Sequence, residues 1–240
     1  MQNHKFFKIS IADLVVEMHI NFDFCEMHCL EYRASNLLPS DIVAKASELD
    51  IQKEKSQYDT ELSNGYCEDI CLYRSIAEQL PSFDRVVFHG AAVEVDGKGY
   101  IFTAPSGTGK TTHISLWLEY FGDKVKIING DKPILRLEGD SVSVHSTPWA
   151  GKEGMQRNAS APVGAICLIR QAKENKITKI SPRECFEELV KQFYLPKDTA
   201  MRIKTIDIVD RVLKKVPIYM LECDISREAA ELSFNTLTKE

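Results

Sequence analysis

Several things are scarce in this sequence. No apolar run approaches the roughly 18 residues needed to cross a bilayer. The opening Met1-Gln-Asn-His-Lys-Phe-Phe7 lacks the apolar core of a secretory signal. Basic residues do not outnumber acidic ones: 30 Lys and Arg against 35 Asp and Glu give a net charge of −5. A surface that tracks nucleic-acid phosphates normally carries a basic excess, so neither nucleic acid nor a membrane is the expected partner. Internal repeats and low-complexity tracts are also missing. The seven cysteines are an odd number spread over 240 residues, unlike the framework of a small secreted disulfide domain. The expected setting is reducing and cytoplasmic.

What is present centres on Ala104-Pro-Ser-Gly-Thr-Gly-Lys110-Thr111-Thr112. An apolar run, Tyr100 to Thr103, precedes it. A helical pattern follows, with Ile114, Trp117, Leu118 and Phe121 on one face. Strand, glycine-rich turn and Gly-Lys-Thr opening a helix is the layout of a phosphate-binding loop, although Ala104 stands where the usual pattern has its first glycine. Gly107 and Gly109 let the backbone bend with its N–H groups inward, so Ser106, Gly107, Thr108, Gly109 and Thr112 are read as cradle residues. Lys110 supplies an ammonium for the β- and γ-phosphates at a helix N-terminus. Thr111 offers a hydroxyl to magnesium.

Around this stretch the chain reads as mixed α/β. Val16, Met18, Ile20 and Phe22 alternate with Glu17, His19 and Asn21, predicting a half-buried strand with His19 on its polar side. A strand over 41–46, a helix over 47–57 and a loop over 56–64 follow. The next helix is expected to turn Tyr66, Ile70, Tyr73, Ala77 and Leu80 inward and to end at Pro81. A boundary near there divides an N-terminal α+β region, 1–82, from a core, 83–240. The first region could cover the core, receive a partner or present substrate. Asp96-Gly97 between two apolar runs predicts a hairpin that pairs the strand before the loop antiparallel to the one entering it. Gly139-Asp140 predicts a second hairpin. A strand over 163–169 with a shorter one over 177–180 across Glu174-Asn175 comes next. A capping box at Ser181 to Glu184 then opens a helix, with Phe186, Leu189, Val190 and Phe193 on one face, that stops at Pro196. A helix over 199–214, a strand over 216–223 and a last helix from Ser226 close the chain.

Two further stretches carry chemistry. Val125 to Asn129-Gly130-Asp131 ends an apolar strand in an acid, suited to hold magnesium beside a phosphate loop, though Asn-Gly-Asp is also turn-rich. Thr147 to Asn158 holds two glycines with Trp149, Lys152, Glu153 and Arg157. Its cations could clamp phosphate oxygens during transfer, or the segment could be an exposed charged loop. The spacings Cys25/Cys29 and Cys67/Cys71 would put each pair on one helix face. Four such thiolates could hold zinc; the looseness of C-x3-C favours small buried apolar side chains instead.

The order His89-Gly90, hairpin, Ala-Pro-Ser-Gly-Thr-Gly-Lys-Thr, Ile-Asn-Gly-Asp-Lys-Pro and Pro-Trp-Ala-Gly-Lys-Glu-Gly resembles the HPr kinase and ATP-type phosphoenolpyruvate carboxykinase group over about 85–223. It is most similar to the compact HPr-kinase-related proteins. The resemblance implies a mixed parallel/antiparallel sheet with a P-loop core. It also implies ATP and Mg2+, and transfer of the γ-phosphoryl group to a serine-like hydroxyl of a peptide, protein or small metabolite. It admits a homo-oligomer. Lys110 and Thr111 carry over as phosphate and metal contacts, Asp131 as the metal-side aspartate and His89 as the active-site His-Gly. Gly130 replaces the first of the family's paired aspartates, which passes the base role to Asp131, His89, Glu153 or a water. A nucleotide-dependent switch without phosphotransfer is the alternative, and carboxykinase-like lyase chemistry ranks last.

Overall fold

A computed structural model describes residues 5–105 and 107–239. The alternation near the N-terminus forms β2 (Leu14–Ile20), which buries Leu14, Val16, Met18 and Ile20. It pairs antiparallel with β1 (Lys5–Ile11). The edges are β3 (Arg33–Ala34) beside β1 and β4 (Ile42–Ala44) parallel to β2. His19 lies on the outer face, hydrogen-bonded to Glu17 at 2.7 Å. The connections carry α1 (Asp23–His28) and α2 (Glu48–Lys55), the latter started by a capping box between Ser47 and Asp50.

Next, α3 (Asn64–Gln79) turns Tyr73 and Ala77 inward as expected, with Leu80 buried just past its end, but its inner face is wider than the apolar pattern. Its buried side includes Glu68, Asp69, Leu72 and Ile76, while Tyr66 is exposed. Glu68 can be inside because both its oxygens are paired, and Asp69 is held through one of its two. Glu68 accepts from the backbone N–H groups of Asn21 and Phe22 and from the Asn21 amide. A hydropathy pattern counts both acids as outward, whereas local hydrogen bonding overrides it. The apolar cluster of this part runs on past residue 82 to Val87, Ile134 and Trp149.

The larger sheet contains β5 (Arg85–Val87), β6 (Ala91–Val95), β7 (Lys98–Thr103), β8 (Lys126–Asn129), β9 (Ile134–Glu138), β10 (Ser141–His145), β11 (Ser160–Gln171), β12 (Lys176–Ile180) and β13 (Ile218–Cys223). Its main order is β5-β9-β10-β11-β7-β6-β8. Asp96 and Gly97 both have positive φ, 49° and 77°, as the tight turn between β6 and β7 requires. The β9–β10 hairpin likewise turns at Gly139-Asp140. The long β11 is parallel to β7 on one side; its last residues are parallel to β13 on the other.

Around this sheet lie α4 (Lys110–Phe121), α5 (Pro182–Val190), α6 (Thr199–Lys215) and α7 (Arg227–Thr238). The strand period sorts the two faces. Ile101 joins Leu189, Ile208 and Val212 of α5 and α6, whereas Tyr100 and Phe102 join Ile114, Trp117 and Ala229 of α4 and α7. The strand β12 follows the Glu174-Asn175 turn as expected and lies beyond β13, which inserts between it and β11. One expectation is corrected: helix α5 ends at Val190, short of Pro196. Beyond it the backbone turns to the sheet edge: Gln192 O accepts the His89 N–H, and the Tyr194 N–H donates to Val87 O. Among the described residues no helix is long and apolar enough to cross a membrane.

Candidate functional site

Strand direction gathers the site. Both β7 and β8 run antiparallel to the β6 between them. The ends of β7 and β8 and the start of β6 therefore share one edge of the sheet. Thr103 ends β7 and leads into the glycine-rich loop, Asn129 ends β8 before Asp131, and His89 precedes β6. Backbone bonds fix this edge. The Thr103 hydroxyl donates to His89 O at 2.8 Å, and the Gly90 N–H donates to Asp131 O at 3.0 Å.

The loop then bends through Gly107 and Gly109, with φ of +80° and +109°. A side chain is strained in that region, and neither glycine has an atom within 4 Å of where a Cβ would lie. Gly109 is the N-cap of α4, so Lys110, Thr111 and Thr112 form its first turn, whose N–H groups lack helical partners. Thr111 is half-buried and Thr112 exposed. Ser106 lies outside the described residues. The helix is seated by its inner face. Trp117 Nε1 donates to Ser233 Oγ at 2.9 Å, and His113 Nε2 is 2.9 Å from the same hydroxyl.

Lys110 Nζ is 3.3 Å from His89 Nε2, and that nitrogen is 3.2 Å from Asp131 Oδ1. One ring nitrogen cannot serve both partners at once: a lone pair there accepts from Lys110, a proton there is donated to Asp131. The opposite ring nitrogen, Nδ1, is 3.0 Å from Gln192 Oε1, which fixes the ring plane. Asp131 Oδ2 also faces Lys132 Nζ at 3.3 Å. Burial raises the Asp131 carboxyl, but the His89 hydrogen bond and the Lys132 charge outweigh it and hold it below the ordinary aspartate value. Burial lowers the Lys110 ammonium; Lys132 adds to this, while Asp131 and Glu153 pull the other way. Among the described residues Lys110 has no carboxylate at ion-pair distance.

Asn129 makes the turn that aims Asp131. Its fully buried side chain accepts from the N–H groups of Asp131 and Lys132 and donates to Thr147 O. The Asn-Gly-Asp sequence is thus both a turn and the support of the acid. Gly130, between them, has no room for a side chain: a Cβ there would stand 2.7 Å from Ala150 O and 3.2 Å from Met155 O. The 147–158 loop lies against this position. Gly130→Ala is therefore expected to push this loop aside and cost about 1–3 kcal/mol of stability, read as a lower urea midpoint with an unchanged slope.

The same loop places its charged residues unequally. A side chain on Gly151 would lie 3.1 Å from Asp131 Cβ and 3.7 Å from Glu153 Oε2, so Glu153 is on the Asp131 side. Lys152 is exposed beside it. Arg157 is not brought to the cluster. It is ion-paired to Glu94 and donates to Ile127 O. Glu94 pairs with Gly99, four residues before Thr103, or about 13 Å along the strand. The expected clamp therefore lacks this arginine, because Glu94 on the neighbouring strand is the nearer anion.

Sequence reasoning overlooked Lys132, Gln192 and Tyr73. Lys132 was legible as a cation next to Asp131. Gln192 had no signal, since only the early end of α5 delivers it. The Tyr73 hydroxyl is pushed up by burial and then by the Asp131 charge, which brings α3 to the site's border.

The fold and this edge define an α/β protein on mixed parallel and antiparallel sheets, with a glycine-rich strand-to-helix loop facing a basic–acidic cluster. Residues 71–231 match the model of the SynChlorMet cassette protein ScmC, and the chain belongs to that family. No curated protein matches the sequence. Among solved structures it is similar to the HPr(Ser) kinase/phosphatase from Coxiella burnetii, at 13% identity and a TM-score of 0.36, covering 64% of this chain and 88% of that one.

Proposed function

We propose that this protein is an ATP- and Mg2+-dependent phosphotransferase that passes a γ-phosphoryl group to a hydroxyl of a peptide, protein or small metabolite. The observation that carries the reading is Lys110: a partly buried ammonium, without a carboxylate partner among the described residues, at the mouth of an open glycine bend. Burying a cation is costly unless an anion meets it, and a polyphosphate is the anion that fits a glycine bend running into a helix's first turn, whose N–H groups lack helical partners.

In this reading Gly107, Thr108, Gly109, Lys110 and Thr112 hold phosphate oxygens. Thr111 and Asp131 hold the magnesium, which when bound supplies positive charge against the phosphates. Asp131 is suited to that duty because its neighbours keep it ionised. Polyphosphate would draw Lys110 away from His89, leaving the ring nitrogen to Asp131 or to the acceptor. His89 Nε2 is then the atom that takes the acceptor's hydroxyl proton, with Glu153 as its neighbour across Asp131. Lys152 is exposed on a loop that can follow the moving charge. The core of this machinery lies within 83–240, with 1–82 supplying its border.

One observation favours a second reading, a nucleotide-dependent switch without an acceptor: Gly130 carries no carboxylate, and the 147–158 loop occupies its space. An assay with labelled ATP, magnesium and a panel of hydroxyl acceptors separates the two. Transfer to an acceptor supports the kinase; nucleotide binding with no transfer to any hydroxyl counts against it.

A further inference from the structure

Away from that edge, the N-terminal part holds a polar cluster the phosphotransfer reading does not use. Cys25 lies in α1 and Cys29 caps that helix, so the one-turn spacing points both thiols the same way, with the sulfurs 4.0 Å apart. Asp69 comes across from α3. The two sulfurs and a carboxylate oxygen lie within 4.8 Å of one another, and all three residues are buried. Only one oxygen of Asp69 is spoken for. Oδ2 meets His28 Nδ1 at 2.9 Å and accepts from Trp149 Nε1 at 3.0 Å. Oδ1 is buried and has no hydrogen-bond partner.

The Cys25 thiol is only a weak donor toward Asp69, and a poorly satisfied buried oxygen costs about 1–3 kcal/mol, so a cation would meet this atom better. A tetrahedral zinc-type ion with Zn–S near 2.3 Å sets two sulfurs about 3.8 Å apart, close to the spacing observed. The donor set, two sulfurs and one hard oxygen, suits a thiophilic divalent ion rather than magnesium or calcium.

We propose that Cys25, Cys29 and Asp69 form a binding site for one thiophilic divalent cation of the zinc class, with the fourth position taken by water. Each thiol gives its proton to solvent as its sulfur–metal bond forms, with no change of oxidation state. His28 and Trp149 are outer-shell partners that orient the carboxylate. The ion clasps α1 to α3, and through Trp149 to the loop that runs on to Gly151. The four-cysteine grouping considered from sequence is not what the fold assembles, since Cys67 and Cys71 on α3 do not join the cluster.

Full-length protein, reduced and stripped of metal, should be titrated with Co2+ and followed by absorption. The expected result is one equivalent bound, with thiolate-to-cobalt charge-transfer and tetrahedral d–d bands. Competing Zn2+ should remove those bands and raise the Tm. Cys25→Ser with Cys29→Ser should abolish the bands, and Asp69→Asn, which removes a ligand, should weaken binding by more than the roughly 10–100-fold that loss of an outer-shell partner costs. Cys67→Ala with Cys71→Ala should leave the spectrum unchanged. Absence of thiolate bands in the reduced wild-type protein overturns the proposal, and this needs no variant to fold. So does a spectrum that follows Cys67 and Cys71 instead, or a Cys25–Cys29 disulfide that takes up no cobalt once reduced.

Discussion

Lys110→Ala is expected to lower nucleotide-dependent turnover by about 10²–10³-fold and to remove the upward shift in Tm that ATP and magnesium produce, while the protein without ligand loses no stability. The reasoning combines geometry and charge. Lys110 Nζ touches His89 Nε2 and no carboxylate at ion-pair distance among the described residues. Burial holds its ammonium below the ordinary lysine value. A lysine whose folded pKa lies below its unfolded one charges the folded state a penalty. That penalty is in force below the folded value and fades as the pH rises from there through the unfolded one. Removing the side chain removes the penalty along with the anion site. A variant that unfolds at lower temperature, yet keeps its response to nucleotide, would assign Lys110 to structure and defeat the functional reading.

Asp131→Asn carries the second large effect. The amide keeps the shape and can accept from His89, but it no longer offers a charged oxygen to a cation. Turnover should fall about 10²–10³-fold. Its dependence on magnesium concentration should move to higher values while nucleotide binding survives through Lys110. The stability cost should be about 1 kcal/mol, in the range of a partly exposed ion pair. Its pH dependence has a definite sign. The Asp131 carboxyl is held below its ordinary value, so its contribution is present above the unfolded pKa and disappears as pH falls through the folded one. Wild type and variant should thus differ at neutral pH and converge in strong acid, as chemical unfolding across pH would record. If the variant alters affinity for a partner protein but there was no turnover to lose, the switch reading replaces the kinase.

Much of the fold was open to a reader of the sequence, because its signals were local. Asp96-Gly97 and Gly139-Asp140 specify tight turns, so two hairpins followed directly. The glycine bend and its helix were legible because the apolar spacing of Ile114, Trp117, Leu118 and Phe121 begins just where Gly-Lys-Thr ends. What escaped depended on partners distant in sequence. The burial of Glu68 and Asp69 carries no local signal, because Asn21, Phe22, His28 and Trp149 supply their donors. Arg157 read as a clamp until Glu94 appeared on the neighbouring strand. Gln192 became a support for His89 only because α5 ends before Pro196. Gly130 could be seen to lack a carboxylate, but its packing against Ala150 O could not, since that needs the loop folded over it.

The placing of the two tryptophans gives the protein a built-in optical gauge. Trp117 is sealed between α4 and α7, its indole bonded to Ser233. Trp149 sits beside Tyr73, with ring centroids 5.1 Å apart, and its indole donates to Asp69. An event that shifts the 147–158 segment is therefore expected to change the surroundings of Trp149, and intrinsic fluorescence can follow it without a label.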